Sequence, residues 1–221
     1  MQVSFHKTVA ALEWLLADII HALLRDNYVQ CSQADILKQI ENETWQQFDD
    51  GYLLGKIREF HAQTDNAIDK TKADFLLNRK TPSLVAELEV VANRDYEKDF
   101  DKFRKGVQLK INEWANKIGI DSAFWHVWSK KRTLTALGND QLDDPESQEK
   151  AEKAVRIMDT QSNVSYPLIN YGPSIMSVLG NYELFALRIY VLIDENEEMS
   201  KEIRDRISKL IKTDIADANW R

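Results

Sequence analysis

The chain has 221 residues, 43% apolar and 10% aromatic, with a net charge of −7. That length and apolar content support one large or two small folded domains and exclude a disordered chain. The acidic balance argues against a general nucleic-acid binder, which needs net cationic surface to displace counterions, so nucleic acid is not an expected partner.

The first predicted element is a helix over FHKTVAALEWLLADIIHALL, Phe5 to Leu24. Phe5, Val9, Leu12, Leu16, Ile19 and Leu23 mark one inward stripe at helical spacing. Ala11, Trp14, Leu15, Ile20 and Leu24 fill most of the flanks, and only Lys7, Glu13, Asp18 and His21 interrupt them. A surface helix needs one apolar stripe; a helix this apolar packs from several directions. It therefore reads as the later part of something larger, or as a subunit that buries the helix in a partner. Phe5, Leu12, Trp14, Leu16 and Ile20 are the expected interface residues.

A polar segment follows, Asp26 to Glu43, in which Ser32 is placed to cap a short helix. A second amphipathic helix runs from about Phe48 to Phe60, with Tyr52, Leu53, Ile57 and Phe60 inward. Thr64 or Asp65 caps a third, whose inner face is Ile68, the Lys72 stem, Phe75 and Leu76. It ends before Pro82, because proline disfavours helical geometry in the residue before it.

After Pro82 the period changes. Ser83–Val91 alternates as a strand, with Val85, Glu87 and Glu89 set against Leu84, Leu88 and Val90. Tyr96 to Lys117 is a helix with Phe100, Phe103, Val107, Ile111 and Trp114 in phase, ended by Gly119. Phe124–Ser129 and Val155–Asp159 are strands, separated by an acidic loop over 135–149, and Tyr166–Ile169 adds an extended piece. Pro173 opens a short helix, Ser174 to Leu179. Leu184–Ile193 is apolar on both faces and is expected at the centre of a sheet. A helix over Glu197 to Ile211 closes the order. The fold class is α+β: a helical segment, 1–81, then a lobe, 82–221, with a ferredoxin-like antiparallel sheet and helices on one face.

Chemical motifs are sparse. His6 and His21 lie fifteen residues apart on one helix, about 22 Å at the helical rise, and cannot share a metal. There is no HExxH, no His-Asp dipeptide, and no GxGxxG, Walker A or GxSxG pattern. Cys31 is the only cysteine, so neither an intrachain disulfide nor a cysteine zinc cage is available. Asp49-Asp50 sits where carboxylates favour a helix start. Arg79-Lys80 and Lys130-Lys131-Arg132 are either phosphate-gripping groups or solvated element ends. Trp125 and Trp128 could stack a base, but their odd spacing in a strand sends one to the core. Neither a cationic leader nor a membrane-length apolar window is present, so the expectation is a cytoplasmic protein with no membrane partner.

Several stretches resemble one family together. FHKTVAALEWLL resembles the helix after the last metal-binding segment of HD-domain phosphohydrolases of the dNTP triphosphohydrolase type, the group that includes the SAM-and-HD-domain protein. FDDGYLLGKIREF and LLNRKTPSLVAELE resemble the next helix and strand entry of those enzymes. WSKKRTLTALGNDQLDDPE, VRIMD, SYPLINYGPSIMSVLG and LFALRIYV resemble their C-terminal lobe. The resemblance spans nearly the whole chain and rests on the order of phrases rather than on one motif. The family's H…HD…D metal cluster lies before this helix and is not in these residues.

The resemblance implies a non-catalytic C-terminal region of a nucleotide phosphohydrolase-like protein. It would need no cofactor of its own, the divalent metal belonging to the absent HD core. Expected partners are further copies of the chain, making a homo-oligomer, or a catalytic HD half, with a regulatory nucleotide as a possible ligand. Arg79 is the closest match to a family arginine that helps bind such a nucleotide, with Lys80 beside it, and Lys130, Lys131 and Arg132 complete the expected set. The lysine that members carry further along the strand falls at Val85 or Ala86, and the nucleotide-contacting turns of the family's first helix carry Thr8 and Leu12 here. The alternative is a stand-alone interaction module that binds a partner through the apolar first helix. A third reading, an RNA-binding module using Trp125, Trp128 and Lys130 to Arg132, lacks the glycine-aromatic RNP pattern.

Overall fold

The computed structural model describes residues 6–44, 46, 49–134, 156–159, 164–167, 179, 181–194 and 198–217. Four helices come first: α1 (Lys7–Arg25), α2 (Gln33–Glu41), α3 (Asp50–Gln63) and α4 (Ala67–Leu77). Strand β1 (Pro82–Asn93), helix α5 (Glu97–Ile118) and strand β2 (Trp125–Thr133) follow, then the short β3 (Arg156–Asp159) and β4 (Val164–Pro167). The long β5 (Tyr182–Asp194) and helix α6 (Glu198–Asp217) end the order. The class is α+β, with helices first and an antiparallel sheet after them.

Local chemistry sets the helix limits. Ser32 and Asp35 form a reciprocal capping box on α2, each side chain taking up the other's backbone N–H. Asp49 Oδ1 accepts from Tyr52 N–H at 2.8 Å and starts α3, the capping role expected of the Asp49-Asp50 pair. For α4 the cap is Asn66, not Thr64 or Asp65: Asn66 Oδ1 accepts from the N–H groups of Ile68 and Asp69. Its carboxamide sits on the residue directly before the helix, where the orphan donors converge.

The proline was also the wrong reason for the end of α4. The helix stops at Leu77, and Lys80 N–H returns to Phe75 O while Arg79 N–H returns to Leu76 O, with Arg79 left-handed at φ +55°. This is a Schellman closure, and it satisfies two terminal carbonyls before Pro82 is reached. Gly119, at φ +81°, ends α5 as the sequence suggests, with its own N–H and that of Ile120 both returning to Ala115 O.

The three long strands are ordered β1-β5-β2, so β5 is central, as its apolar faces predict. Ser83 Oγ donates to Ile193 O, and Arg94 N–H donates to Asn181 O at the other end, which makes β1 and β5 antiparallel. In an antiparallel sheet of that order β1 and β2 run parallel on either side of β5, joined through α5: the split βαβ arrangement. The other two strands pair with each other, Arg156 opposite Pro167 and Asp159 opposite Val164. Strand pairing there begins at Val164, ahead of the expected Tyr166. The acidic loop at 135–149 and nearly all of the expected helix Ser174–Leu179 lie outside the described residues.

The chain folds into two compact units. One comprises Met1–Ala86, Lys110–Trp128 and Ile189–Arg221; the other comprises Glu87–Leu109 and Ser129–Arg188. In the first, Ala10, Ala11, Trp14 and Leu15 of α1 pack with Phe75 of α4 and with Tyr190 and Leu192 of β5. Further along α1, Ile19, Ala22 and Leu23 pack with Ile57, Phe60 and Ala73. Val191 and Ile193 alternate with Tyr190 and Leu192 and are buried too, so both faces of this end of β5 are covered. Ser208 Oγ donates to Val85 O at 2.7 Å and Trp114 Nε1–H to Asp214 Oδ2 at 2.8 Å, which fixes α6 against β1 and the end of α5. In the second unit Phe185 meets Phe100 and Tyr96 at ring distances of 5.2 and 5.5 Å.

Candidate functional site

The first helix has an inner face fixed by its own unit and an outer flank that is not. On the inner face, Asp18 Oδ2 accepts from Lys72 Nζ at 2.6 Å and from Trp14 Nε1–H at 2.9 Å. Lys72 Nζ also stands 5.7 Å from the centre of the Trp14 ring. On the same indole, His126 of β2 stacks at 4.7 Å with the planes 6° apart. Lys72 is buried, and a buried ammonium is tolerated only with such partners. Burial pushes His126 down to about 4, against the upward pull of Asp18. Tyr190 O–H donates to Lys7 O at 3.0 Å and holds the start of the helix to β5.

On the outer flank, Leu12, Leu16, Ile20 and Leu24 form a line at four-residue spacing. Leu16 is 37% exposed and the other three are partly exposed. Of the expected inward stripe, Ile19 and Leu23 are buried, but Leu16 faces outward and Val9 and Leu12 are only partly covered; Ala11, Leu15 and Ala22 complete the buried face instead. An all-round apolar helix does not fix its own phase. Here the small Ala10 and Ala11 allow close packing, and the Trp14–Asp18–Lys72 contacts choose the face.

Of the five expected interface residues, Leu12, Leu16 and Ile20 lie on this flank. Trp14 is enclosed by its own chain, and Phe5 lies outside the described residues. The line ends at a cavity of about 330 Å³ lined by Ile20, Leu24, Val29, Cys31 and Leu53, with Asp49 and Asp50 at its edge. Leu54 of α3 is exposed as well, and α2 carries the exposed Leu37 and Ile40 with no buried residue of its own.

The cations singled out in the sequence do not form one constellation within a unit. Arg79 and Lys80 belong to the first unit and Lys130, Lys131 and Arg132 to the second. Arg79 is exposed and serves the α4 closure through its backbone. Lys80 Nζ lies 3.4 Å from Asp74 Oδ2 and over the Phe75 ring. Lys131 Nζ is hydrogen-bonded to Glu97 Oε1, which raises its pKa. Lys130 and Lys131 border a cavity of about 190 Å³ together with Arg104, Glu97, Asp101 and Phe100. Arg104 Nε is 3.4 Å from Asp101 Oδ1. An anion entering there would compete with Glu97 and Asp101 for the same donors.

Two charged groups escape a sequence reading focused on surface cations. Lys72 and Asp18 are 54 positions apart, and their only signal is a carboxylate inside an otherwise apolar helix, which needs a partner if it is buried. Arg188, wholly buried in β5, donates from Nε to Glu87 Oε1 and from a terminal nitrogen to Glu89 Oε1, each at 2.8 Å. The signal for this group is legible: an arginine in the most apolar strand, and two glutamates spaced by two on another.

Among the described residues no group of three or more His, Cys, Asp or Glu is placed to hold a metal ion. Nor is any described helix long and apolar enough to cross a membrane. No family model matches the chain, and no curated protein matches it.

Proposed function

We propose that this chain is a non-catalytic assembly region of an HD-superfamily nucleotide phosphohydrolase-like protein, supplying oligomer contacts and a regulatory nucleotide response. The observation that carries the reading is the outer flank of α1: Leu16 is exposed and Leu12 and Ile20 are partly exposed beside it, a line that continues to Leu24, whose other side packs on the inner cluster. A contiguous apolar patch on a folded surface marks an interaction site. The order of sequence phrases supports the family, and in that family the helix abuts the metal-bearing half. Any divalent ion, which activates water for hydrolysis by lowering its pKa, belongs to that half. The same flank also supports the second reading, a self-standing interaction module. An upstream reading frame carrying HxxxHD in the same direction favours the first.

The test is sedimentation of the purified chain with and without GTP and dNTPs, alongside a hydrolysis assay with Mg²⁺ and Mn²⁺. The expected result is association beyond the monomer that nucleotide shifts, with no turnover. An unchanged mass in every nucleotide overturns the regulatory role; turnover above background overturns the non-catalytic one.

A further inference from the structure

We infer that the apolar line on the outer flank of α1 receives a cationic amphipathic helix, anchored by one large apolar side chain in the cavity beside Ile20 and Leu24. The inference rests on reading the α1 flank as a docking face, and it adds the chemistry of what docks.

Three observations fix the occupant. The first is shape. Leu12, Leu16, Ile20 and Leu24 span about 18 Å along α1 at the helical rise. A ridge at four-residue spacing is the surface into which another helix interdigitates. Anchors three or four residues apart would follow it, the helix-in-groove mode of recognition.

The second is depth. The line does not end on a flat surface but at the cavity of about 330 Å³ whose walls are Ile20, Leu24, Val29 and Leu53. A cavity of about 150 Å³ already accepts a benzene ring. This one has room for a leucine, phenylalanine or tryptophan side chain.

The third is charge. Asp49 and Asp50 stand at the cavity edge, and both are exposed. They are the charged residues among those lining it. On α1, Glu13 beside Leu12 is exposed, and the exposed Arg25 beside Leu24 is already paired with Asp26 and Asp69. An acidic helix laid along this line would meet like charge at the cavity, whereas lysine or arginine groups flanking its apolar anchors would meet complementary charge.

The probe is a fluorescein-labelled peptide of about 18 residues, five helical turns. It carries leucine at i, i+4 and i+7 with lysines flanking that stripe, and is set against a twin with glutamate at every lysine position. Fluorescence anisotropy with the full chain is expected to show the cationic peptide binding about tenfold or more tighter at low salt. The difference should shrink as added salt shortens the screening length. Asp50→Lys is expected to abolish the preference; Asp50 is chosen because Asp49 caps α3. Ile20→Ala, which keeps the rim charges, is expected to weaken the cationic peptide severalfold. Circular dichroism establishes that each variant is folded.

Equal binding of the two peptides, binding of neither, or a preference that survives Asp50→Lys overturns the inference. Sedimentation separates its failure from that of the assembly reading. If the chain associates in response to nucleotide yet ignores both peptides, the assembly reading stands and the cationic helix does not. If association is lost with Ile20→Ala while neither peptide binds, the occupant is a second copy of the chain, which also overturns the inference.

Discussion

Glu43 shows how one residue stores backbone strain. It follows α2 in the left-handed region, at φ +57°, and its N–H and that of Thr44 close back on Ile40 O and Gln39 O. The closure stabilises the helix end, but a side chain in that conformation opposes it; glycine is the residue that fits. Glu43→Gly should raise stability by about 0.5–1 kcal/mol, the left-handed penalty less the extra freedom that glycine gives the unfolded chain, read as a higher urea midpoint at constant slope. Asn27 and Arg79 occupy the same position after α1 and α4, and asparagine tolerates it best of the three.

His126 supplies a second effect at this scale. Its ordinary value is 6.5, and burial against Trp14 holds it at about 4. The unfolded chain therefore takes up a proton that the folded chain refuses. Stability from this group is complete above about pH 6.5 and is lost as the pH falls toward about 4. His126→Phe keeps the stacked ring and removes the titration. Comparing urea midpoints at about pH 7 and about pH 4.5, the wild-type chain should lose more than the variant. Equal losses would show that His126 does not couple to folding.

Among the elements, α1 is the one whose two sides do different things. Asp18 joins it to α4 through Lys72 and to its own Trp14. The partners are unequally covered: the Lys72 side chain is 10% exposed and that of Asp18 34%. Removing the carboxylate strands a buried ammonium, whereas removing the ammonium leaves a carboxylate that water can reach. Asp18→Ala should therefore cost about 3 kcal/mol and Lys72→Met about 1 kcal/mol, an asymmetry visible in chemical denaturation. Similar costs for the two would mean that water already reaches Lys72. Strand β5 carries the parallel case in the second unit, where Glu87 and Glu89 take up the wholly buried Arg188.

For the molecule as a whole, the α+β class and the central place of β5 were legible in the sequence. Period-two alternation, where one face of a strand is buried, and an unbroken apolar run, where both are, are local properties readable from the sequence. The division into compact units was not readable in that way. The first unit continues past Thr81 into Ala86 and also takes in Lys110–Trp128 and Ile189–Arg221. A linear change of character after Pro82 marks where the element type switches. It cannot report which distant segments return to pack together. The candidate site divides along the same line: the excess of apolar side chains on α1 is evident from composition, but the cavity at its end needs Val29, Leu53 and Asp50 brought beside Ile20 and Leu24.

What the sequence determined alone is local and periodic. It set where helices and strands form, the caps at Ser32 and Asp49, the glycine stop at Gly119, and the presence of more apolar surface on α1 than one stripe requires. The tertiary structure decided the phase of that helix. Trp14 turned inward to Asp18, Lys72 and His126, and Leu16 was left outside. The reason is physical: when nearly every face is apolar, burying any of them gains similar free energy. The choice then falls to the few directional contacts, hydrogen bonds to a carboxylate and one stacked ring, and two of the partners, Lys72 and His126, lie tens of residues away in the chain.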